Sequence, residues 1–243
     1  MGKVLTIIPD VHGRSFWRRA VQDAPEDGTV IFLGDYLDPY PWEEITPGDA
    51  TRMLQEIIAL KMARPDRVVL ILGNHDMGYL NPDINFCRRD HFGAMRNQDL
   101  LEKNLDLFQI THVETLGHHP MLFSHAGIGT SWLDRHRDML GNGPFNPGIL
   151  NDMLHDSGRR EALYGALSEA AFFRGGEQPT GSPIWADVNE YLEGERLLPG
   201  YIHLFGHSMN EAGPVRVGDT GMCLDCLRAF RLTEEPFSLR ILT

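Results

Sequence analysis

Val69-Leu70-Ile71-Leu72-Gly73-Asn74-His75-Asp76 is the stretch from which this chain is best read. Four apolar residues in succession suit a strand buried on both faces of a parallel or mixed sheet, since such a strand has no solvent side to alternate with. Gly73 permits a sharp turn, so Asn74, His75 and Asp76 are expected where the strand ends. Open α/β sheets bind their ligands there. An amide oxygen, an imidazole and a carboxylate side by side offer a metal ligand, a proton donor and an orienting group. A plain polar turn uses the same residue types, so the weight of the stretch comes from its recurrence.

It recurs along the whole chain. Val4 to Ile8 runs into Pro9-Asp10-Val11-His12-Gly13-Arg14, and Val30 to Leu33 runs into Gly34-Asp35-Tyr36-Leu37-Asp38. Ser15 and Asp49 are expected to cap two helices. The second of these carries Ala50, Met53, Leu54, Ile57 and Ile58 on one face. Met77 to Asn104 is polar, holds Arg88, Arg89 and Arg96, and reads as a short helical excursion near the strand ends. Thr111 to Leu116 and Met121 to His125 read as a strand pair around a turn that holds His118 and His119. Ile149 to Phe173 reads as helical between loops rich in Gly and Pro. A helical insertion at about 141–183 within a single domain of residues 1–243 is therefore expected. Tyr201 to Phe205 is a further strand, ending in Gly206-His207, and Val215 to Val217, Met222 to Leu227 and Phe230 to Leu232 read as late antiparallel strands. Strand, loop and helix in repetition predict an α/β fold.

The composition narrows the class. With 243 residues, 42% hydrophobic and 23% charged, the chain has the makeup of a globular protein. Its net charge of −12 argues against a general nucleic-acid binder, which needs basic patches to displace counterions. No stretch has the length needed to cross a bilayer, and the apolar part of the first ten residues is too short for a signal peptide. Three cysteines, Cys87, Cys223 and Cys226, cannot all pair, which fits a reducing cytoplasm. Cys223 and Cys226 lack the second pair of a zinc ribbon and read as small strand residues.

Five expected strands thus end on Asp, His or Asn beside a glycine: Asp10 and His12, Asp35 and Asp38, Asn74 to Asp76, His125, and His207. These groups suffice to hold two divalent ions with one shared carboxylate. Mixed oxygen and imidazole ligands suit manganese foremost, and also iron, zinc, cobalt or nickel, better than calcium. His203 lies inside a strand and reads as a packed histidine.

The blocks Asp10-x-His12-Gly13, Gly34-Asp35-x-x-Asp38, Gly73-Asn74-His75-Asp76, Ser124-His125-Ala126-Gly127 and Gly206-His207 resemble the calcineurin-like metallophosphoesterase superfamily. The resemblance is nearest to its phosphoprotein phosphatase branch and bacterial relatives, including symmetrical diadenosine tetraphosphatases. It implies a four-layer α/β/β/α sandwich, two mixed sheets flanked by helices, with a binuclear metal site at the strand ends. Asp10, His12 and Asp35 would hold one ion. Asp35 would bridge to a second, held also by Asn74, His125 and His207. His75 would be the general acid, oriented by Asp38. The implied reaction is phosphomonoester hydrolysis by a hydroxide that bridges the ions, on phosphoprotein-like or small phosphorylated substrates. Symmetrical dinucleoside polyphosphate hydrolysis is the alternative, and a non-catalytic scaffold is the alternative of another class. The chain departs from the branch in two places. Pro39-Tyr40 stands where a phosphate-gripping Arg-Gly is usual, and Asp76 stands where Glu is usual. Arg14, two residues after His12, is the expected substitute grip.

Overall fold

The computed structural model describes residues 2–81, 83–84, 87–141, 143–234 and 238–242. Residues 82, 85 and 86 of the polar excursion and residue 142 of the expected insertion lie outside these. The elements run β1 (Val4–Ile8), α1 (Phe16–Gln22), β2 (Thr29–Phe32), α2 (Pro47–Ala63), β3 (Val68–Ile71), α3 (Asn74–Leu80), α4 (Ala94–Lys103), β4 (Phe108–Gln109), β5 (Thr111–Leu116) and β6 (His119–Ser124). Then follow α5 (Thr130–Arg135), α6 (Arg137–Leu140), α7 (Gly148–His155), α8 (Arg160–Leu167), α9 (Val188–Leu192), β7 (Ile202–Phe205), β8 (Val215–Val217), β9 (Gly221–Cys223), β10 (Ala229–Thr233) and β11 (Ser238–Leu242).

Two mixed sheets form, ordered β11-β10-β1-β2-β3-β4 and β5-β6-β7-β9-β8. In the first, β1 to β4 are parallel, and β10 and β11 close one edge antiparallel. In the second, β6, β7 and β9 are parallel between antiparallel edges. Register decides what the fold is for. Ile7 pairs with Ile31 and Ile31 with Val69, so β1, β2 and β3 end level and their loops emerge side by side.

The apolar runs work as two-sided strands. Leu5, Ile7, Ile31, Leu33, Val69 and Ile71 pack into a core shared with Met121, Phe123 and Leu204 of the second sheet. Their neighbours Ile8, Val30, Phe32, Val68, Leu70 and Leu72 face a separate core that includes the helices. Each strand thus alternates between two dry layers, the period-two signature of a sheet covered on both faces. Leu70 and Ile71 are fully buried, and truncating either to Ala would cost about 2–5 kcal/mol.

Helix ends correct two expectations. The side chain of Thr46, not Asp49, caps α2: its Oγ1 accepts from Asp49 N at 3.1 Å, while the Asp49 carboxylate accepts from Thr46 N at 3.0 Å in a reciprocal box. Ser15 occupies the cap position of α1 but makes no capping bond. The span 149–173, expected to be helical, carries two helices, α7 and α8. After α7 the Asp156 Oδ1 accepts from Gly158 N at 2.8 Å, a turn that diverts the backbone before α8 begins. No helix of the described residues is long and apolar enough to cross a membrane.

Candidate metal centre

All five sequence blocks meet where the parallel strands of both sheets end. His12, Asp35, Asp38 and His207 sit there with φ of 44°, 51°, 57° and 70°, a region side chains other than glycine seldom adopt. Such strain costs of order 1–3 kcal/mol per residue and persists only where the surroundings over-determine it. Here they do. His12 N donates to Asp35 O at 2.6 Å and Gly13 N to Tyr36 O at 3.0 Å, tying the first loop to the second.

Asp76, fully buried, is the hub of the second and third loops. Its Oδ2 accepts from Asp35 N at 2.8 Å and Gly73 N at 2.9 Å, and its Oδ1 from Tyr36 N at 3.0 Å. Asn74 to Asp76 lie in the first turn of α3 rather than in a loop. Gly73 is needed for a different reason from the one the sequence suggests. Its φ of −96° is ordinary, but a Cβ there would collide with the Asp35 carboxylate. A Cβ on Gly206 would strike Asp10 in the same way.

The donor atoms converge with their tautomers set from behind. His12 Nδ1 lies 2.8 Å from Leu37 O and His125 Nδ1 lies 2.8 Å from Leu33 O. A carbonyl requires a proton on each of these nitrogens, so both Nε2 lone pairs point inward. Between them stands Asp35, whose Oδ2 is 3.5 Å from His12 Nε2 and 3.6 Å from His125 Nε2. His125 Nε2 also faces Asn74 Oδ1 at 3.0 Å and His207 Nδ1 at 3.2 Å. A lone-pair nitrogen, an amide oxygen and a carboxylate aimed at one spot fit a cation, because they are acceptors with too few protons to share. His207 Nε2 is buried without a hydrogen-bond partner among the described residues.

Among the described residues, two sets of ligand-type atoms each lie within 4.8 Å of one another: His12, Asp35 and His75, and Asp35, His125 and His207. Asp35 belongs to both. The first set holds His75 where the sequence reading expects Asp10. Asp10 is buried next to it, but its carboxylate accepts from His207 N at 3.0 and 3.2 Å. Charges follow from this crowding. Burial presses His12 down to about 3 and His207 well below its ordinary value. Burial pushes Asp35 up, yet the nearby His125, His75 and His12 outweigh it and hold the carboxyl at about 2. Burial, together with Asp35, raises Asp10 and Asp76. Neutral His12 and His207 beside an ionised Asp35 are the forms in which these groups bind metals.

His75 Nδ1 is 3.0 Å from Asp38 Oδ2, so Nε2 is the ring nitrogen not engaged by that carboxylate. Asp38 Oδ1 accepts from Tyr79 Oη at 2.5 Å and from Asp90 N at 3.1 Å, so the carboxylate is held at both oxygens.

The rim is looser. Arg14 Nε binds Glu43 Oε1 at 2.8 Å and its Nη1 lies 3.4 Å from Asp10 O. Arg88 stacks over the Tyr40 ring at 3.8 Å and donates to Asp38 O at 3.1 Å. Arg14 flanks the same ring at 5.3 Å. Arg96 instead turns to Thr51 and Asp90, away from the donor atoms, and Arg89 lies over Tyr79. The sequence reading did not single out two further residues here. Arg174 donates to His207 O at 3.2 Å and pairs with Asp187 at 2.7 Å. Asp225, between the two cysteines, is buried with Oδ1 unpartnered among the described residues, and burial beside Asp10 raises its carboxyl well above the ordinary range. Neither has a local signal, since only the returning chain brings them in. Trp185 sets its ring edge-on to His207 at 5.7 Å. His203 is fully buried, with Nε2 on Leu198 O at 2.8 Å, and Cys223 and Cys226 are free. A groove of about 1140 Å³ lined by Trp17, Arg18 and Glu56 contains none of these donor residues.

None of the curated proteins matches this chain by sequence. Among solved structures it is similar to a cold-active protein-tyrosine phosphatase of a psychrophilic Shewanella species, with a TM-score of 0.57, 13% identity, and 100% and 81% of the two chains covered. It is also similar to a proposed diadenosine tetraphosphatase, with a TM-score of 0.53, 16% identity, and 99% and 93% covered. A protein serine/threonine phosphatase from Saccharomyces cerevisiae gives a TM-score of 0.52 at 10% identity, with 99% and 79% covered. At these identities the likeness is one of fold. The family model for calcineurin-like phosphoesterase matches residues 4–210, and the chain belongs to that family.

Proposed function

We propose that this chain is a metal-dependent phosphatase that hydrolyses phosphomonoesters of phosphoprotein-like or small phosphorylated substrates. The observation that carries the reading is the Asp35 carboxylate, one oxygen of which stands 3.5 Å from His12 Nε2 and 3.6 Å from His125 Nε2. A carboxylate between two imidazoles supports the reading that it is shared between two ions. Asp10, His12 and Asp35 would hold one divalent ion; Asp35, Asn74, His125 and His207 would hold the other, with manganese foremost for both. Such a pair of ions acidifies water and neutralises phosphoryl oxygens when bound.

The rest is the work of side chains. His75, held by Asp38 through Nδ1, presents Nε2 to protonate the leaving oxygen, which matters most for an alkoxide. Tyr79 and the Asp90 amide keep Asp38 from rotating, so the imidazole keeps its aim. Arg14 is the grip on the phosphoryl group in place of the Arg that Pro39-Tyr40 lacks, and Arg88 lies against the same Tyr40 ring. Residues from about 141 to 183 are read as an insertion into a single domain. It lends Arg174 to the His207 side of the site.

Symmetrical dinucleoside polyphosphate hydrolysis is the second reading, favoured by the cations Arg14, Arg88 and Arg174 around one centre. The manganese-loaded chain, offered a phosphomonoester, a phosphodiester, a phosphopeptide and diadenosine tetraphosphate, should cleave the phosphomonoester fastest. Turnover of none of them would leave the scaffold reading standing.

A further inference from the structure

Trp42 is 71% exposed, whereas the chain's other tryptophans, Trp17, Trp132 and Trp185, are buried at 5%, 0% and 4%. An exposed indole beside a site offers a rigid aromatic face to a ligand. Trp42 rests on Tyr40, ring centroids 4.6 Å apart and planes 33° apart, and Tyr40 in turn meets the His12 ring edge-on at 5.1 Å. A ladder of three rings therefore climbs from a candidate metal ligand to solvent. Its middle rung is flanked by the cations of Arg88 and Arg14, at 3.8 and 5.3 Å. Tyr40 is itself part of the site, since its ring meets His12 and carries Arg88, which donates to Asp38 O at 3.1 Å.

Resting on the phosphatase reading above, we infer that Trp42 is a stacking platform for the nucleobase of a nucleotide substrate whose phosphate lies at the strand ends. The spacing favours a nucleotide over an aryl phosphate. Trp42 stands one full ring beyond the ring that touches His12, so the planar group it meets must be separated from phosphorus by a spacer. A ribose supplies that spacer; a ring bonded directly to the ester oxygen does not. The arginines beneath the platform suit the anionic end of such a molecule, and every base offers a π-face to an indole.

The test uses the full manganese-loaded chain with adenosine 5′-monophosphate and, as a base-free comparison, phosphoserine. Trp42→Ala should raise KM for the nucleotide about tenfold and leave KM for phosphoserine unchanged. Trp42→Phe, which keeps a ring, should restore most of the loss. Adenosine 5′-monophosphate should also quench the tryptophan emission of the wild type but not of Trp42→Phe, because the remaining indoles are buried. An unchanged KM for the nucleotide in Trp42→Ala, or an equal rise for both phosphates, overturns the inference and leaves the phosphatase reading intact. An effect on a phosphopeptide but not on the nucleotide likewise overturns it, in favour of a protein-facing residue. Should the wild type cleave no phosphate at all, the phosphatase reading fails and the substrate role is overturned with it; a quench lost in Trp42→Phe would then uphold nucleotide binding at Trp42 alone, and its absence would overturn that too.

Discussion

The floor of the site and its rim are built by opposite rules. On the floor, His12, Asp35, Asp38 and His207 are buried, strained at positive φ, and held from behind by main-chain atoms or by one another. On the rim, Trp42 is largely exposed, Arg14 is held by Glu43 and the Asp10 carbonyl, and Arg88 by the Asp38 carbonyl and the Tyr40 ring. The difference teaches where each kind of specificity resides. Floor residues can change little without releasing backbone strain, so the chemistry is fixed there. The rim can be exchanged side chain by side chain, so under the proposed function the choice of substrate would rest on it.

The largest effect should come from the floor's shared carboxylate. Asn tolerates the left-handed conformation, so Asp35→Asn removes charge without adding strain at its φ of 51°. Metal affinity should fall on the order of a hundredfold or more, for both ions together. His207→Ala should mainly deplete one. Elemental analysis of wild type and variants checks this, and a wild type that takes up at most one ion would break the floor as described.

Next in size is the dyad. His75→Asn should keep its metal content and lose on the order of a hundredfold in kcat for an alkyl phosphate, with a smaller loss for an activated aryl phosphate. This sharpens the comparison, because His75 lies within reach of His12 and Asp35 and competes geometrically with Asp10 as a ligand. Lost metal, or equal losses on both substrates, would move His75 from acid to ligand.

His203 separates burial from function. It is as buried as the floor histidines but its ring meets Leu198 O and the edge of Tyr201 rather than the donor atoms, and burial lowers it from 6.5 to about 4. Between those values the unfolded chain binds the extra proton, so acid favours unfolding. The stability is complete above about pH 6.5 and is lost as pH falls towards 4. From pH 7.5 to 5 the loss should be roughly 2 kcal/mol. His203→Gln, which keeps a donor for Leu198 O, should show that much less acid destabilisation in paired denaturant titrations, with turnover unaltered. An identical pH dependence in both proteins would falsify the assignment.

The smallest effect belongs to the rim. Arg14→Ala should lower kcat/KM for phosphomonoesters about tenfold without loss of metal, and Arg14→Lys should recover only part of it, since an ammonium keeps the charge but not the fork. Glu43 holds Arg14 at 2.8 Å, so Glu43→Gln should give a milder version of the same change. If Arg14→Ala matches the wild type, the grip passes to Arg88.

The sequence by itself determined the α/β class, the ends of β1, β2, β3, β6 and β7, and the residue types gathered there. These are local: an apolar run, a glycine, then a polar group can be read in one window. It misjudged what Gly73 is for, because the constraint is a collision with Asp35 across the sheet rather than a turn in its own backbone. It missed β4, only two residues long, which exists because Phe108 and Gln109 pair with Leu70 and Ile71. It also missed β11, together with Asp225 and Arg174. Tertiary structure alone decided that Asp35 stands between two histidines from different sheets, that Asp76 ties the loops of β2 and β3 together, and that Trp42 rests on Tyr40. Each of these depends on the level ends of parallel strands and on contacts between residues distant in the chain. Spacing along a sequence can name the groups that meet at such a place, but the meeting itself is set by the packing of one sheet on the other.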